Sequence, residues 1–234
     1  MRLLAAAIVL LFAAPVLTAQ DKPEPVGIGP EPSPTPIAWE FDFKYVQPRR
    51  IEVRSPETGR TEVYWYMLYT VTNKSRTTRP FYPIFDLVTD DLRIIHTDLG
   101  ISPLVFDAIK ERHKVTHKYL VHPTKALGDL SAGDDYARES VAIWRADDLN
   151  VSEFKIYVSG LSGEARVMKN PTYDPAQPES QTIVGDDGRE REESVNPKYF
   201  TLQKTLCLSY SLPASAKARG EIEPRLEQAA WIMR

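Results

Sequence analysis

Histidine is the residue type in this chain best suited to metal or acid–base chemistry. The four histidines are His96, His113, His117 and His122, and three of them fall in HKVTHKYLVH. A spacing of four places His113 and His117 on one face of a helix, although the Val and Thr between them favour a strand. On a strand, His117 and His122 point to opposite sides. His113, His117 and His122, helped by Asp107 or Glu111, therefore predict a metal site and a metal-dependent hydrolase as one hypothesis.

The acidic pairs and the one nucleophile-like motif are weaker candidates for metal binding or catalysis, because each has a simpler interpretation. Paired aspartates suit calcium, but none has the DxDxDG register and Asp also favours turns. The pairs are Asp90-Asp91, Asp134-Asp135, Asp147-Asp148 and Asp186-Asp187. The segment SGLSG lacks the G-x-S-x-G spacing of a nucleophile elbow. We therefore expect a non-enzymatic protein without a cofactor, and keep the hydrolase as the alternative.

The single cysteine, Cys207, excludes an intramolecular disulfide and a cysteine-based zinc site. Strand alternation predicts that its side chain points away from the core. In an oxidising compartment such a thiol either stays inert or pairs with another molecule.

Three aromatic residues are candidates for binding a partner. Trp39 opens the first aromatic strand, and Tyr64 and Tyr66 lie on the strand face opposite Trp65. Exposed tyrosines supply contact area at interaction surfaces, so a protein or glycan of the cell envelope is the predicted partner, and a carbohydrate-binding module is a further hypothesis. The alternative is that a second sheet, a helix or a long loop covers both tyrosines.

The elements that position these residues are mainly strands. Alternation of apolar and polar residues predicts eight or nine strands, and the hairpin formed by RIEVR and TEVYWYMLYTVTN gives the strongest signal. Further strands are predicted in WEFDFKY, ARESVAIWR and SEFKIYVSG and over residues 81–88, 92–96, 114–121 and 199–212, and the terminal WIMR adds a short strand to this count. Ser102 as N-cap and Pro103 as the first helical residue predict one helix over 103–112.

Residues 164–198 form a long segment with four prolines and few apolar anchors. A structureless loop of this length is unusual inside a compact domain. We therefore expect a hidden turn at Asp187-Gly188, between residues 182–184 and the last long strand.

The summed pattern predicts an all-β fold of two packed antiparallel sheets, an immunoglobulin-like β-sandwich with one inserted helix, and a barrel is the alternative. The segments YTVTN, LGDLSAGDDYARESVAIW, EFKIYVSGLSG and KTLCLSYSLP resemble immunoglobulin-like domains of uncharacterised secreted bacterial envelope proteins. In those domains a VTN segment comes early and a G-x-L-x-x-G turn precedes a strand. The resemblance covers residues 60–212, implies an extracytoplasmic β-sandwich and assigns no functional residue.

The N-terminal residues predict export. Arg2, the apolar run that follows it and Leu17-Thr18-Ala19 have the features of a signal peptide over residues 1–19, cleaved after Ala19. Residues 20–37 are rich in proline and predict a tether, followed by a single domain over 38–234. We expect a secreted or periplasmic protein with no stable membrane insertion after cleavage, because the apolar run is shorter than a membrane span.

The charge balance gives no reason to expect a nucleic-acid partner. The whole chain has 29 basic and 32 acidic side chains and a net charge of −3. Nucleic-acid binding usually requires a clustered basic face.

Overall fold

The computed structural model describes residues 39–55, 59–97, 101–145, 151–185, 188–215, 218–219 and 222–234. The predicted signal peptide and tether lie outside these residues, as do Asp147, Asp148, Asp186 and Asp187. Among the described residues the chain forms fourteen strands and the helices α1 and α2. The elements are β1 (Phe41–Tyr45), β2 (Arg49–Arg54), β3 (Thr61–Asn73), β4 (Arg79–Phe81), β5 (Ile84–Thr89), β6 (Ile94–His96), α1 (Pro103–His113), α2 (Pro123–Ala126), β7 (Gly128–Leu130), β8 (Arg138–Arg145), β9 (Glu153–Ser159), β10 (Ala165–Lys169), β11 (Ser180–Val184), β12 (Glu190–Ser194), β13 (Tyr199–Ser211) and β14 (Arg225–Met233).

The first sheet is built around β3. One edge of β3 pairs with β8, and the other edge pairs with β2 and then β1, all antiparallel. The amide of Val46 donates to the carbonyl of Leu68, so β1 and β2 follow one another along the same edge with an irregularity between them. The predicted hairpin of β2 and β3 is confirmed.

The second sheet is built around β13. Its second half pairs with β9 on one edge and with β14 on the other, while its first half pairs with β10. Strands β5 and β6 extend the sheet beyond β9. The described strands form separate antiparallel sheets and not a closed barrel, so the barrel alternative is wrong.

The two sheets pack face to face and enclose the larger core. From β3 this core receives Trp65, Met67, Tyr69 and Val71, the face that strand alternation assigns to the interior. The residues that meet them from the second sheet include Phe85, Leu87, Phe154, Ile156, Val158, Leu206, Leu208 and Tyr210. Mainly antiparallel β structure with an apolar face on each sheet is therefore confirmed.

The opposite face of the first sheet is also buried, beneath α1. Tyr64, Tyr66 and Leu68 of β3 pack with Val105, Phe106 and Ile109 of α1 in a second apolar cluster. The side chain of Ser102 accepts a hydrogen bond from the amide of Leu104 and Pro103 occupies the first turn, so the predicted helix is confirmed and ends at His113.

The strand predicted over residues 114–121 is wrong. The chain turns there, with the amide of His117 donating to the carbonyl of His113 and the amide of Leu120 donating to the carbonyl of His117. Val115 is 77% exposed and Leu120 is buried. Burial of Leu120 in the cluster beneath α1 outweighs the β preference of the Val-Thr pair, because β propensity depends on packing.

The single strand predicted over residues 81–88 also needs correction. Residues 81–88 are two strands separated at Tyr82 and Pro83: β4 pairs with β7, while β5 joins the second sheet. Pro83 cannot donate a backbone hydrogen bond, which favours a break at this point.

The hidden hairpin exists, but its partner differs from the one expected. β11 pairs with β12, and the predicted partner β13 pairs instead with β10. Gly188 has a φ of +72° in the turn between β11 and β12. The long segment therefore contains a separate two-stranded ribbon, and at its base the amide of Asn170 donates to the carbonyl of Lys198.

Gly160 provides a test of the junction between β9 and the bend that follows it. Its φ is +78°, and a Cβ atom there would lie 2.7 Å from the carbonyl oxygen of Tyr82. Gly59 has a φ of +67° but meets nothing within 4 Å of an added Cβ. A left-handed backbone costs an L-residue about 1–2 kcal/mol, and overpacking adds about 1–3 kcal/mol.

We therefore expect Gly160→Ala to lower the free energy of unfolding by about 3 kcal/mol and Gly59→Ala by about 1 kcal/mol. Urea unfolding of both variants measures the difference. Equal losses would show that the contact with Tyr82 imposes no packing constraint.

Candidate functional site

A hydrogen-bonded network of three side chains joins the end of α1 to β3. The hydroxyl of Tyr66 lies 2.9 Å from Nε2 of His113. Nη1 of Arg112 donates to this hydroxyl at 3.3 Å and to the carbonyl of Arg50 at 3.0 Å. Because the hydroxyl accepts from Arg112, it is free to donate its own proton to His113. The network fixes the last turn of α1 beside the start of β2.

His113 is held in its neutral form by its surroundings. Burial lowers its pKa below the ordinary value of 6.5, and the charges of His117, Arg49 and Arg112 lower it further. A neutral imidazole can accept the Tyr66 proton at Nε2, which a protonated ring cannot do.

Arginines line a cleft next to this network. Arg49 pairs with Tyr66 and Arg50 with Trp65, so the two guanidinium groups leave β2 on opposite faces. A cavity of about 230 Å³ at the start of β2 is lined by Arg49, Arg50, Trp65, Arg112, Arg219, Ile222 and Glu223. We call this cavity the arginine cleft.

Cations outnumber anions in the arginine cleft. Glu223 is the one carboxylate among the described lining residues, and its Oε1 lies 2.8 Å from Nε of Arg49. Arg50 reaches Glu52, outside the lining, at 3.3 Å, and Arg219 donates to the carbonyls of Pro213 and Ala214. Confining several like charges in one cavity is unfavourable unless an anion enters.

The side chain of Arg50 is not fully satisfied by hydrogen bonds within the described residues. Its buried Nε makes no hydrogen bond to any of them. An unsatisfied buried donor costs about 1–3 kcal/mol, and more when it is charged. Guanidinium groups bind carboxylate, phosphate and sulfate oxygens with high directionality, so the arginines that line the cleft suit an oxyanion.

The structure does not gather the predicted histidine cluster into one coordination sphere. The rings of His113 and His117 are 5.7 Å apart, but His122 packs against Phe106 and caps α2 through Thr124. Within the described part of the chain, no group of three or more His, Cys, Asp or Glu side chains is placed to hold a metal ion.

The predicted aromatic binding residues lie in different environments. Tyr64 and Tyr66 are 2% and 1% exposed because α1 covers them, so the covered alternative is confirmed and Tyr66 contributes to the network instead. Trp39 is half-buried and borders a separate cavity of about 300 Å³, together with Tyr82, which is 62% exposed. Binding through these residues stays a prediction.

Cys207 lies outside the core between its neighbours Leu206 and Leu208, which are core residues, as strand alternation predicts. Its side chain is half-buried and its thiol is free.

Of two larger cavities, the first has nearly balanced charges and the second carries three carboxylates, from Asp90, Glu153 and Glu227, against the one cation of Lys155. One of about 740 Å³ brings Lys110, Lys118, Lys125 and Arg138 together with Asp134, Asp135 and Glu139. Another, of about 550 Å³, lies over β5, β9 and β13, and its Asp90 already accepts hydrogen bonds from Ser152. The arginine cleft is distinguished from both by its surplus of cations.

The arginine cleft is not among the sites predicted from the sequence. Its guanidinium groups come from β2, from α1 and from the segment between β13 and β14, and the fold brings them together. The adjacent pair Arg49-Arg50 was the one signal available in the sequence.

Comparison of the chain with protein-family models, with curated proteins and with solved structures finds no match. Among the described residues there is no helix with the length and apolar character needed to cross a bilayer.

The lowered pKa of His113 predicts a pH dependence of stability. In the window below pH 6.5 the unfolded chain binds a proton at this position that the native chain resists, so stability falls as the pH falls. His113→Gln keeps an acceptor for Tyr66 but removes the titrating ring.

We expect the urea midpoint of the native sequence to fall more than that of His113→Gln between about pH 7.5 and about pH 5. Chemical denaturation at the two pH values measures this. An identical fall in both proteins would contradict the assignment of a buried neutral imidazole.

Proposed function

We propose that this chain is an exported, non-enzymatic binding module of immunoglobulin-like architecture, and that it holds an anionic group of its ligand in the arginine cleft. The observation that carries the proposal is the concentration of Arg49, Arg50, Arg112 and Arg219 in one cavity whose described lining includes one carboxylate. A carboxylate, phosphate or sulfate group fits this arrangement.

The overall charge supports a specific site over a generally basic surface. The chain carries a net charge of −3, so the arginine cleft is an exception to the balance of the molecule. Trp65 and Ile222 add apolar area to the cleft, and binding sites commonly combine apolar walls with a few charged groups.

Export and the immunoglobulin-like architecture have separate support. The signal-peptide features of residues 1–19 favour an extracytoplasmic location. Two antiparallel sheets packed face to face are the arrangement from which such domains are built. A binding role in the cell envelope is consistent with both features.

Binding of inorganic phosphate and sulfate tests the arginine cleft directly. A hydrogen bond to a charged group contributes about 1.5–3 kcal/mol, and 1.4 kcal/mol corresponds to about tenfold in affinity. We expect isothermal titration calorimetry to detect salt-sensitive binding, and Arg50→Gln and Arg112→Gln to weaken it about tenfold each.

Arg225→Gln is the matched control, because Arg225 is highly exposed and pairs with Glu227 on β14. It should bind both anions as the native sequence does. Loss of binding in the control, or no binding of either anion to the native protein, would contradict the proposal. Circular dichroism of each variant verifies that the fold is retained.

A carbohydrate ligand is a second candidate, favoured by the cavity beside Trp39. The exposed ring of Tyr82 and the polar side chains of Ser162, Glu164 and Gln203 border this cavity, a combination that suits sugars. A glycan array should then show binding that Tyr82→Ala abolishes, whereas Tyr136→Ala, at another exposed tyrosine, should leave it unchanged. A blank array would remove this candidate.

A further inference from the structure

The outer edge of β2 forms no ladder with any strand in the described part of the chain. Among the described strands, β2 pairs with β3 alone. The amide of Ser55 donates to the carbonyl of Arg60, which places the backbone groups of the odd-numbered residues of β2 toward β3. Arg50, Glu52 and Arg54 therefore direct their amides and carbonyls away from the sheet. The bond from Arg112 to the carbonyl of Arg50 shows this orientation directly.

Helix α1 covers a face of β2 but does not pair with its edge. Its apolar residues pack against Ile51, whose side chain points to the face, and Arg112 reaches the edge from the last turn. Glu52 is exposed. An exposed strand edge is a template on which another extended backbone can form hydrogen bonds.

The arginine cleft lies at the start of this free edge. Arg50 contributes its side chain to the cleft and its carbonyl to the edge, and Arg112 contacts both. An extended peptide ending at this point would run antiparallel to β2, with its last carboxylate among the guanidinium groups. Strand addition combined with capture of a terminal carboxylate is a known mode of peptide recognition.

We propose that the ligand is the carboxyl-terminal end of an extended peptide, which adds to the edge of β2 at Glu52 and places its terminal carboxylate between Arg50 and Arg112. This inference rests on the proposed function of the arginine cleft and names its ligand class. Ile222, which is 54% exposed, and Trp65 form the wall available to the last side chain. Free phosphate would use the guanidinium groups and leave both the wall and the strand edge unused.

A pair of peptide libraries tests the ligand class. One consists of fluorescein-labelled six-residue peptides randomised at the last two positions with free terminal carboxylates, and the other is the same set amidated. Fluorescence anisotropy should show binding of the best free acids at least about tenfold tighter than of their amides. Arg50→Gln should remove this preference.

The strand edge is tested separately from the charge. Both Glu52→Pro and Glu52→Ala remove the ion pair with Arg50, but Glu52→Pro alone removes the outward amide. It should therefore bind the best peptide about tenfold more weakly than Glu52→Ala does, and bind phosphate equally well. Glu52→Ala keeps the amide and serves as the control. If Glu52→Pro fails to fold, hydrogen exchange of the Glu52 amide in the native sequence replaces it, with slower exchange expected when the best peptide is bound.

The outcomes separate this inference from the proposed function. Phosphate binding without binding of either library would overturn the peptide assignment and leave the anion site. Equal binding of acids and amides would also overturn it. Failure of phosphate and of both libraries would overturn both proposals.

Discussion

The burial of both faces of β3 is the constraint on which the rest of the structure depends. One face carries Trp65, Met67 and Tyr69 into the core between the sheets, and the other carries Tyr64, Tyr66 and Leu68. Large side chains on both sides of a strand need an apolar cover on each, because full burial of one such side chain contributes about 1.5–3 kcal/mol. The second sheet supplies one cover and α1 the other.

The position of α1 in turn decides where charge can accumulate. Packing of Ile109 and its neighbours against β3 brings His113 and Arg112 to the start of β2. Tyr66 donates a hydrogen bond to the neutral ring of His113 and accepts one from Arg112. These hydrogen bonds hold the guanidinium group of Arg112 beside the edge of β2. Arg49 and Arg50 lie at the same place because they are the first residues of β2. The surplus of positive charge in the arginine cleft therefore follows from the packing of α1 against β3.

Away from the arginine cleft, Lys204 of β13 links several elements through its charge. Its Nζ lies 2.7 Å from Glu40 and 3.5 Å from Glu164, and 5.0 Å from the ring centre of Trp231. The hydrogen bond to Glu40 raises the lysine pKa, so the charged form is favoured. This residue therefore ties the start of β1 to β13 and β14.

The parts of the fold that the sequence determined are those with local physical signals. Apolar alternation over β3 and β13 identified their core faces, and Ser102 with Pro103 identified the start of α1. The strand prediction for residues 114–121 failed because the burial of Leu120 outweighed the local β preference. The partner of β11 could not be predicted, because alternation of apolar and polar residues does not specify which strand lies alongside. Tertiary structure alone decided that α1 covers Tyr64 and Tyr66, and that arginines from three distant segments meet in one cavity. Such a cavity depends on packing between segments, which no local pattern of residues specifies.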